Sequence, residues 1–576
     1  MSTQKISEDI RDDVSADVII VGAGVSGTST LLRLLEEQRT GATGTDRLRV
    51  AVIDRSDDMF TGLPYGSRSG SASLIVTSLD EFLPDGIRQD FIAWLEARKE
   101  RILAADASLG ISPHWAEEHA EEIRGGQWDS LFIPRRLFGH FLRGRVEDIL
   151  ASTSDVEVIR ITGEASALRR MGTAARAGAA ARTAATARAD AGAEGEIEIL
   201  VAAQGALPGN ATADGGIRSA TDGTDGARRG MTRVRGRSVV LAVGSPPTRM
   251  LGHDPADAGS GRFLDDTHVH GMDHLLQEAR AAIRAMPEGA SRDILVVGAN
   301  ADALELLHAT VRAGLERAWD HHVTILATHG IPDAWTVHPD RRSEYRSRHL
   351  ADYAARTPDA DLTARAVYDA VVRDVDDAMA SGFCEQDTVD ELKELCSQLL
   401  ERLPAPEQKL YVDVYGTKVG RFARPTGGDY QRTASELLES GRVHAERGHF
   451  EHAENSAAGW RVTTSTEEGI STLERTFGVI INCAGFENVA ETRDGFLRSL
   501  QDESGLRSSA SRTGFEVDEH FQAAPGVFVA GPLLAGNLNS ALRVWHLESC
   551  RRILAMADTI GAEIAAHLRA TELEPV

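Results

Sequence analysis

The residues best suited to chemistry lie near the start of the chain. Gly22-x-Gly24-x-x-Gly27 follows the apolar run Val18–Val21, and the run Arg49-Val-Ala-Val-Ile ends in Asp54. This spacing predicts a buried strand, a tight turn, a helix and a second strand tipped by an acid. Gly22 permits the turn, Gly24 lets a pyrophosphate approach the backbone, and Gly27 lets helix and strand pack closely. The helix start aims unpaired N–H groups and a partial positive charge at the phosphates. Asp54 is placed to accept hydrogen bonds from a ribose diol. The whole arrangement reads as a dinucleotide cradle.

A second strand–turn–helix follows at Asp293-Ile-Leu-Val-Val-Gly298-Ala-Asn300-Ala-Asp-Ala303, with its next strand at Val323-Thr-Ile-Leu-Ala327. Two glycines of the pattern are replaced. Ala303 is a tolerable packing substitute, whereas Asn300 narrows the approach of a pyrophosphate. Buried strands ending in Gly turns recur at Ala242-Val-Gly244, Cys483-Ala-Gly485 and Val529-Ala-Gly-Pro532.

The elements that must position these residues need more than one core, because 576 residues predict two or three domains. The expected division is 16–250 and 486–576 for the first dinucleotide-binding domain, with 251–485 for the second. Within these, 172–193 and 206–230 are poor in large apolar residues and read as mobile insertions. Residues 341–405 read as a mostly helical insertion. The fold class is therefore α/β, with two nested Rossmann-like domains. No apolar run approaches the roughly 18 residues of a membrane span. The polar N-terminus excludes a secretory signal and reads as a disordered lead-in over 1–15. A net charge of −25 argues against nucleic acid and anionic membranes as partners. Cys384, Cys396, Cys483 and Cys550 form no CxxC pair, which fits a reducing cytoplasm and disfavours zinc or disulfide-based chemistry. No Walker loop, HExxH or Ser-His-Asp order occurs, and no metal is expected.

The nested order resembles the FAD/NAD(P)-binding oxidoreductases of the flavin monooxygenase clan, including bacterial amino-acid N-hydroxylases. Gly62-Leu-Pro-Tyr-Gly66, Leu74-Ile-Val-Thr77, Phe132-Ile-Pro-Arg-Arg-Leu-Phe-Gly139, Asn482-Cys-Ala-Gly485 and Val529-Ala-Gly-Pro532 carry the likeness. The resemblance implies FAD on Gly22, Gly24, Gly27 and Asp54, with Ser245 and Gly531 near the flavin and its ribityl chain. It places Asn537, Asn539 and Ser540 at a helix N-terminus facing the flavin, where that dipole favours the charge of the reduced ring. Tyr65 falls in a loop near the flavin, and Arg136 is a candidate for phosphate or carboxylate. Gly298 and Asn300 would meet NADPH or NADH. Relatives that use NADPH often carry an Arg where this chain reads Ala327-Thr-His-Gly330, so the nicotinamide choice stays open. Val76 also replaces an Asn found in many relatives.

The implied reaction is N-oxygenation of a primary amine by dioxygen through a flavin C4a-(hydro)peroxide. A small amino acid such as aspartate is the implied substrate, with Arg341 and Arg346 as carboxylate partners. A homo-oligomer is left open. The alternatives are a flavin oxidase or dehydrogenase acting directly on substrate, and a non-catalytic redox-sensing flavoprotein.

Overall fold

The computed structural model describes residues 13–171, 196–202, 231–253, 261–268, 270–314, 322–328, 339–420, 422, 427–538 and 549–572. The expected insertions 172–193 and 206–230 lie outside this set. The chain divides into two compact units. Unit 1 comprises Met1–Gly62, Leu142–Pro246 and Asn488–Val576, and unit 2 comprises Leu63–Phe141 and Pro247–Glu487.

Unit 1 is built on two sheets. A short strand β1 (Asp13–Ser15) precedes β2 (Val18–Val21), helix α1 (Val25–Arg39) and β3 (Leu48–Asp54). After helix α2 (Arg135–Ser152) come β4 (Val156–Thr162), β5 (Glu164–Met171), β6 (Glu196–Ala202), β7 (Met231–Gly236) and β8 (Ser238–Leu241). The main sheet runs β4–β3–β2–β8, then the returning strand Val527–Val529, all parallel, with Gln522–Ala524 antiparallel at the edge. Every residue of β2, β8 and Val527–Val529 is buried, which is why these strands read as unbroken apolar runs rather than alternating ones. The second sheet runs β1–β7–β6–β5. Asp13–Ser15, assigned by sequence to a disordered lead-in, instead pairs in parallel with Arg233–Arg235 of β7.

Helix α1 ends where Gly41 takes a left-handed φ of 73°, a conformation glycine enters without steric cost. Leu31, Leu34 and Leu35 of α1 join Met556, Ile560, Ile564 and Leu568 of the closing helix Cys550–Glu572 in the core. Burying each such side chain stabilises the unit by about 1.5–3 kcal/mol.

Unit 2 carries a wholly parallel five-stranded sheet. It contains β9 (Arg262–Leu264), β10 (Ile294–Val297), β11 (Val323–Ala327) and β12 (Val443–Arg447), with helix α3 (Ala301–Arg312) between β10 and β11. An antiparallel sheet of β13 (His449–Ser456), β14 (Gly459–Thr466) and β15 (Gly469–Thr472) follows, and then β16 (Val479–Asn482). The strand order of the parallel sheet is β12–β11–β10–β16–β9. Helices His349–Arg356, Ala364–Ala380 and Val389–Arg402 occupy the stretch read as a helical insertion.

The largest departure from the sequence reading is the segment 63–141. It was grouped with the first dinucleotide domain and belongs to unit 2. Its hydrogen bonds explain why: Ser71 donates to Asp273, Ser73 to Glu305, and the Tyr430 hydroxyl both accepts from Leu74 N and donates to Leu74 O. A helix in this segment runs from Asp85 to Glu96.

Candidate functional site: two glycine turns with opposite fates

The two units repeat one turn in backbone conformation. Gly22 has φ 103° and Gly298 has φ 108°, both outside the range comfortable for side chains. A Cβ on Gly22 would lie 2.2 Å from the Ala242 carbonyl oxygen, and one on Gly298 would lie 2.3 Å from that of Cys483. Each turn is thus pressed against the neighbouring parallel strand's end, which itself turns through Gly244 (φ 83°) or Gly485 (φ 87°). The residue that caps the following helix also matches. Gly24 has φ −78° and ψ −171°, and Asn300 has φ −85° and ψ −173°.

At that cap the turns diverge. Gly24 has dihedrals any residue tolerates, and its Cβ would have only ordinary contact, 3.7 Å from Gly62 Cα. The protein's own packing therefore does not require glycine there. The missing side chain keeps space before the helix open, as a phosphate cradle needs. No side chain caps the first turn of α1, and no acid lies in it. Gly27 is required by packing, because a Cβ would fall 2.0 Å from the Gly22 carbonyl oxygen. Asp54 Oδ2 accepts from Ala23 N at 2.7 Å and Oδ1 from Ser56 N at 2.8 Å, so the carboxylate braces the turn. Each oxygen retains a lone pair that can face a ribose. Gly531 returns to this place: a Cβ there would meet Ser26 Oγ in the first turn of α1 at 2.4 Å. These residues fit an FAD diphosphate and ribose.

In unit 2 the same position is filled. Asn300 Oδ1 accepts from Asp302 N at 3.1 Å and from Ala303 N at 3.3 Å, the donors a pyrophosphate would use. Asp302 adds a carboxylate to the first turn, where an anion would otherwise sit. Ala327 stands where unit 1 has Asp54, since each ends the second strand of its turn. In the described conformation this turn does not present the open cradle that a nicotinamide dinucleotide requires.

A half-buried charged network, with Glu305 its fully buried member, backs the closed turn. His268 Nε2 lies 3.5 Å from Asp302 Oδ2, and its ring stacks on Phe486 with centroids 5.7 Å apart. Burial works against the charge on His268, but the hydrogen bond and charge of Asp302 outweigh it and raise the imidazole above its ordinary range. Burial likewise opposes ionisation of Asp302, and His268 and Arg135 overcome it to hold the carboxyl below its ordinary range. Arg135 Nη1 pairs with Glu305 Oε2 at 2.8 Å, while its Nε donates to Leu74 O. Asp302, His268 and Glu305 were missed by sequence reading. An acid two residues after the cap was a legible warning for Asp302, but nothing in the chain pointed to its partners.

Several expected site residues have other occupations. Asn537, expected at the flavin, is buried: its Nδ2 donates to Phe515 O at 2.7 Å and Leu534 O at 2.9 Å, and Oδ1 accepts from Val517 N at 2.9 Å. It clasps the loop, with both of its amide donors used. Arg136, expected on a phosphate, belongs to unit 2. It donates to the carbonyls of Ser69, Gly110 and Ser67 and to Asp273. The half-buried Tyr65 ring packs edge-on to Phe138 at 5.2 Å and near Phe82 at 6.0 Å. Arg341 donates to Gly382 O and lies over the Phe383 ring, while Arg346 is exposed and contacts Ser343 O and Tyr345 O. Ser245 is exposed, just after the Gly244 turn. Asn539 and Ser540 lie outside the described residues, as does His329 of the Ala327–Gly330 tip.

Glu118, His119 and Asp429 bring ligand-type atoms within 4.8 Å of one another. Arg312 and Arg432 already neutralise both acids.

Comparison with known proteins agrees with the first turn. Residues 19–194 match the sequence family described as FAD-NAD(P)-binding, so the chain carries an FAD/NAD(P)-binding domain of Rossmann type. Uncharacterised proteins of Mycobacterium bovis and Mycobacterium tuberculosis are 26% identical over 570 residues, covering 97% of each chain. Among solved structures, the reduced form of ornithine hydroxylase from Pseudomonas aeruginosa is 11% identical, spanning 96% of this chain and 100% of its own, with a TM-score of 0.49. The L-lysine 6-monooxygenase of Pseudomonas syringae is 12% identical, spanning 97% and 100%, with a TM-score of 0.47.

Proposed function

We propose that this protein is an FAD-dependent monooxygenase that N-oxygenates a primary amine, with NADH or NADPH as electron source. The observation that carries the flavin is the open cap at Gly24, braced by Asp54 and approached by Gly531. The monooxygenase class and the amine rest on the motif resemblance. Bound FAD would supply electron transfer and oxygen activation, which no side chain can provide. The protein's own share begins with α1, whose first-turn N–H groups and partial positive charge hold the diphosphate. Asp54 keeps the turn in shape and accepts from the ribose. The Asn537 side chain, bonded to Phe515 O, Leu534 O and Val517 N, fixes the loop from Gly531 to Leu538 and so positions it beside α1.

A small amino acid is the proposed amine. Aspartate belongs in the test panel on family likeness alone, because Arg341 is engaged with Gly382 O. The test starts from the absorbance of the purified protein. A flavin spectrum, bleached by NADH or NADPH without air and reoxidised in air with hydroxylamine product from one amine, supports the reading. Reoxidation uncoupled from every amine in the panel removes it.

The closed turn of unit 2 favours one second reading, a flavin oxidase or dehydrogenase that takes hydride directly from substrate. In that case substrate alone bleaches the flavin without air, and neither nicotinamide does.

A further inference from the structure

We infer that Asn300 and Asp302 make unit 2 a self-capped turn, which competes with a dinucleotide's pyrophosphate and sets the affinity for the nicotinamide cofactor. The inference deepens the reading of this protein as a flavoenzyme reduced by NAD(P)H.

The argument is a comparison within one chain. Both turns share the strained glycine, the pressed carbonyl and the cap dihedrals. They differ in what stands before the helix. In unit 1 the second and third N–H groups of α1 face no side-chain cap. In unit 2 the corresponding N–H groups of Asp302 and Ala303 both donate to Asn300 Oδ1. A phosphate oxygen can take those donors only after the carboxamide has left them. It must also approach the Asp302 carboxylate, which His268 orients from 3.5 Å away and which stays ionised. Like charges at a helix start oppose each other where a lone phosphate would be favoured.

The closure is not forced by sterics. Asn300 has extended dihedrals that glycine also adopts, so Asn300→Gly keeps the turn. Asp302→Asn is isosteric and retains the contact with His268. The side chains at these two positions, rather than the fold, are what shut the turn.

The test uses the full-length protein saturated with FAD, titrated with NADP⁺ and with ADP-ribose by calorimetry. Asn300→Gly is expected to tighten both by at least tenfold, and Asp302→Asn by severalfold. The reverse change, Gly24→Asn in unit 1, is expected to yield folded protein that has lost most of its FAD, read from the absorbance ratio and circular dichroism. Unchanged or undetectable dinucleotide binding in both unit 2 variants overturns the inference. So does full FAD retention by Gly24→Asn. Failure of the flavoenzyme reading is separate, because it shows in the wild type as absence of flavin or of any reduction by NADH and NADPH.

Discussion

At the scale of single residues, Asp54 and His308 make the clearest predictions. Asp54 spends one oxygen on Ala23 N and the other on Ser56 N, so Asp54→Ala loosens the turn as well as removing a ribose acceptor. Hydrogen bonds to a charged group contribute about 1.5–3 kcal/mol, so FAD affinity should fall about tenfold to a hundredfold in a titration of apoprotein. His308 lies buried beside Thr433, its Nδ1 3.0 Å from Oγ1. Burial, reinforced by Arg312, lowers its pKa from 6.5 to about 4. Below pH 6.5 the unfolded chain takes up a proton that the folded chain refuses until about pH 4. Stability therefore falls across that interval, by about 3 kcal/mol at most. Chemical denaturation of His308→Asn, which keeps a partner for Thr433, should show that acid-side slope flattened.

Residue chemistry was unevenly legible in the sequence. Gly22, Gly24, Gly27 and Asp54 could be read because a local pattern defines them. Asn537 could not, because its partners Phe515 and Val517 lie about twenty residues away along irregular chain. The partners of Arg136 were hidden for the same reason: its acceptors belong to loops near Ser67, Ser69 and Gly110.

At the scale of elements, both glycine turns depend on a strand end that leaves no room for a methyl group. Gly22→Ala and Gly298→Ala each drive a Cβ to within 2.2 or 2.3 Å of a carbonyl oxygen at positive φ. Each should destabilise its unit by about 2–4 kcal/mol, visible in thermal unfolding. Gly24→Ala, with a Cβ only in ordinary contact, should leave stability within about 0.5 kcal/mol. The buried Arg135–Glu305 pair makes a parallel prediction. Glu305→Gln leaves a guanidinium buried without its counter-charge and should cost about 3–5 kcal/mol. The strands and glycine turns were readable because fully buried parallel strands announce themselves as apolar runs. The allegiance of 63–141 was not, because the Asp273, Glu305 and Tyr430 groups that hold it lie 200 or more residues further on.

At the scale of the whole molecule, the net charge of −25 is a self-repulsion spread over 576 residues. Salt screens it, since the Debye length shrinks from about 30 Å at 0.01 M to about 10 Å at 0.1 M. The melting temperature should rise over that range, the reverse of what a protein held by surface ion pairs would show. No helix among the described residues is long and apolar enough to cross a membrane.

The repeated turn shows how one backbone design can be given two different readinesses for a phosphate. Because the cap position in either unit is free of conformational strain, the side chains at the cap and two residues beyond it decide how readily that turn admits a phosphate. Nothing in the surrounding architecture has to be rebuilt. A chain of this kind can hold one dinucleotide through an open turn and admit the other only when a capping amide gives way.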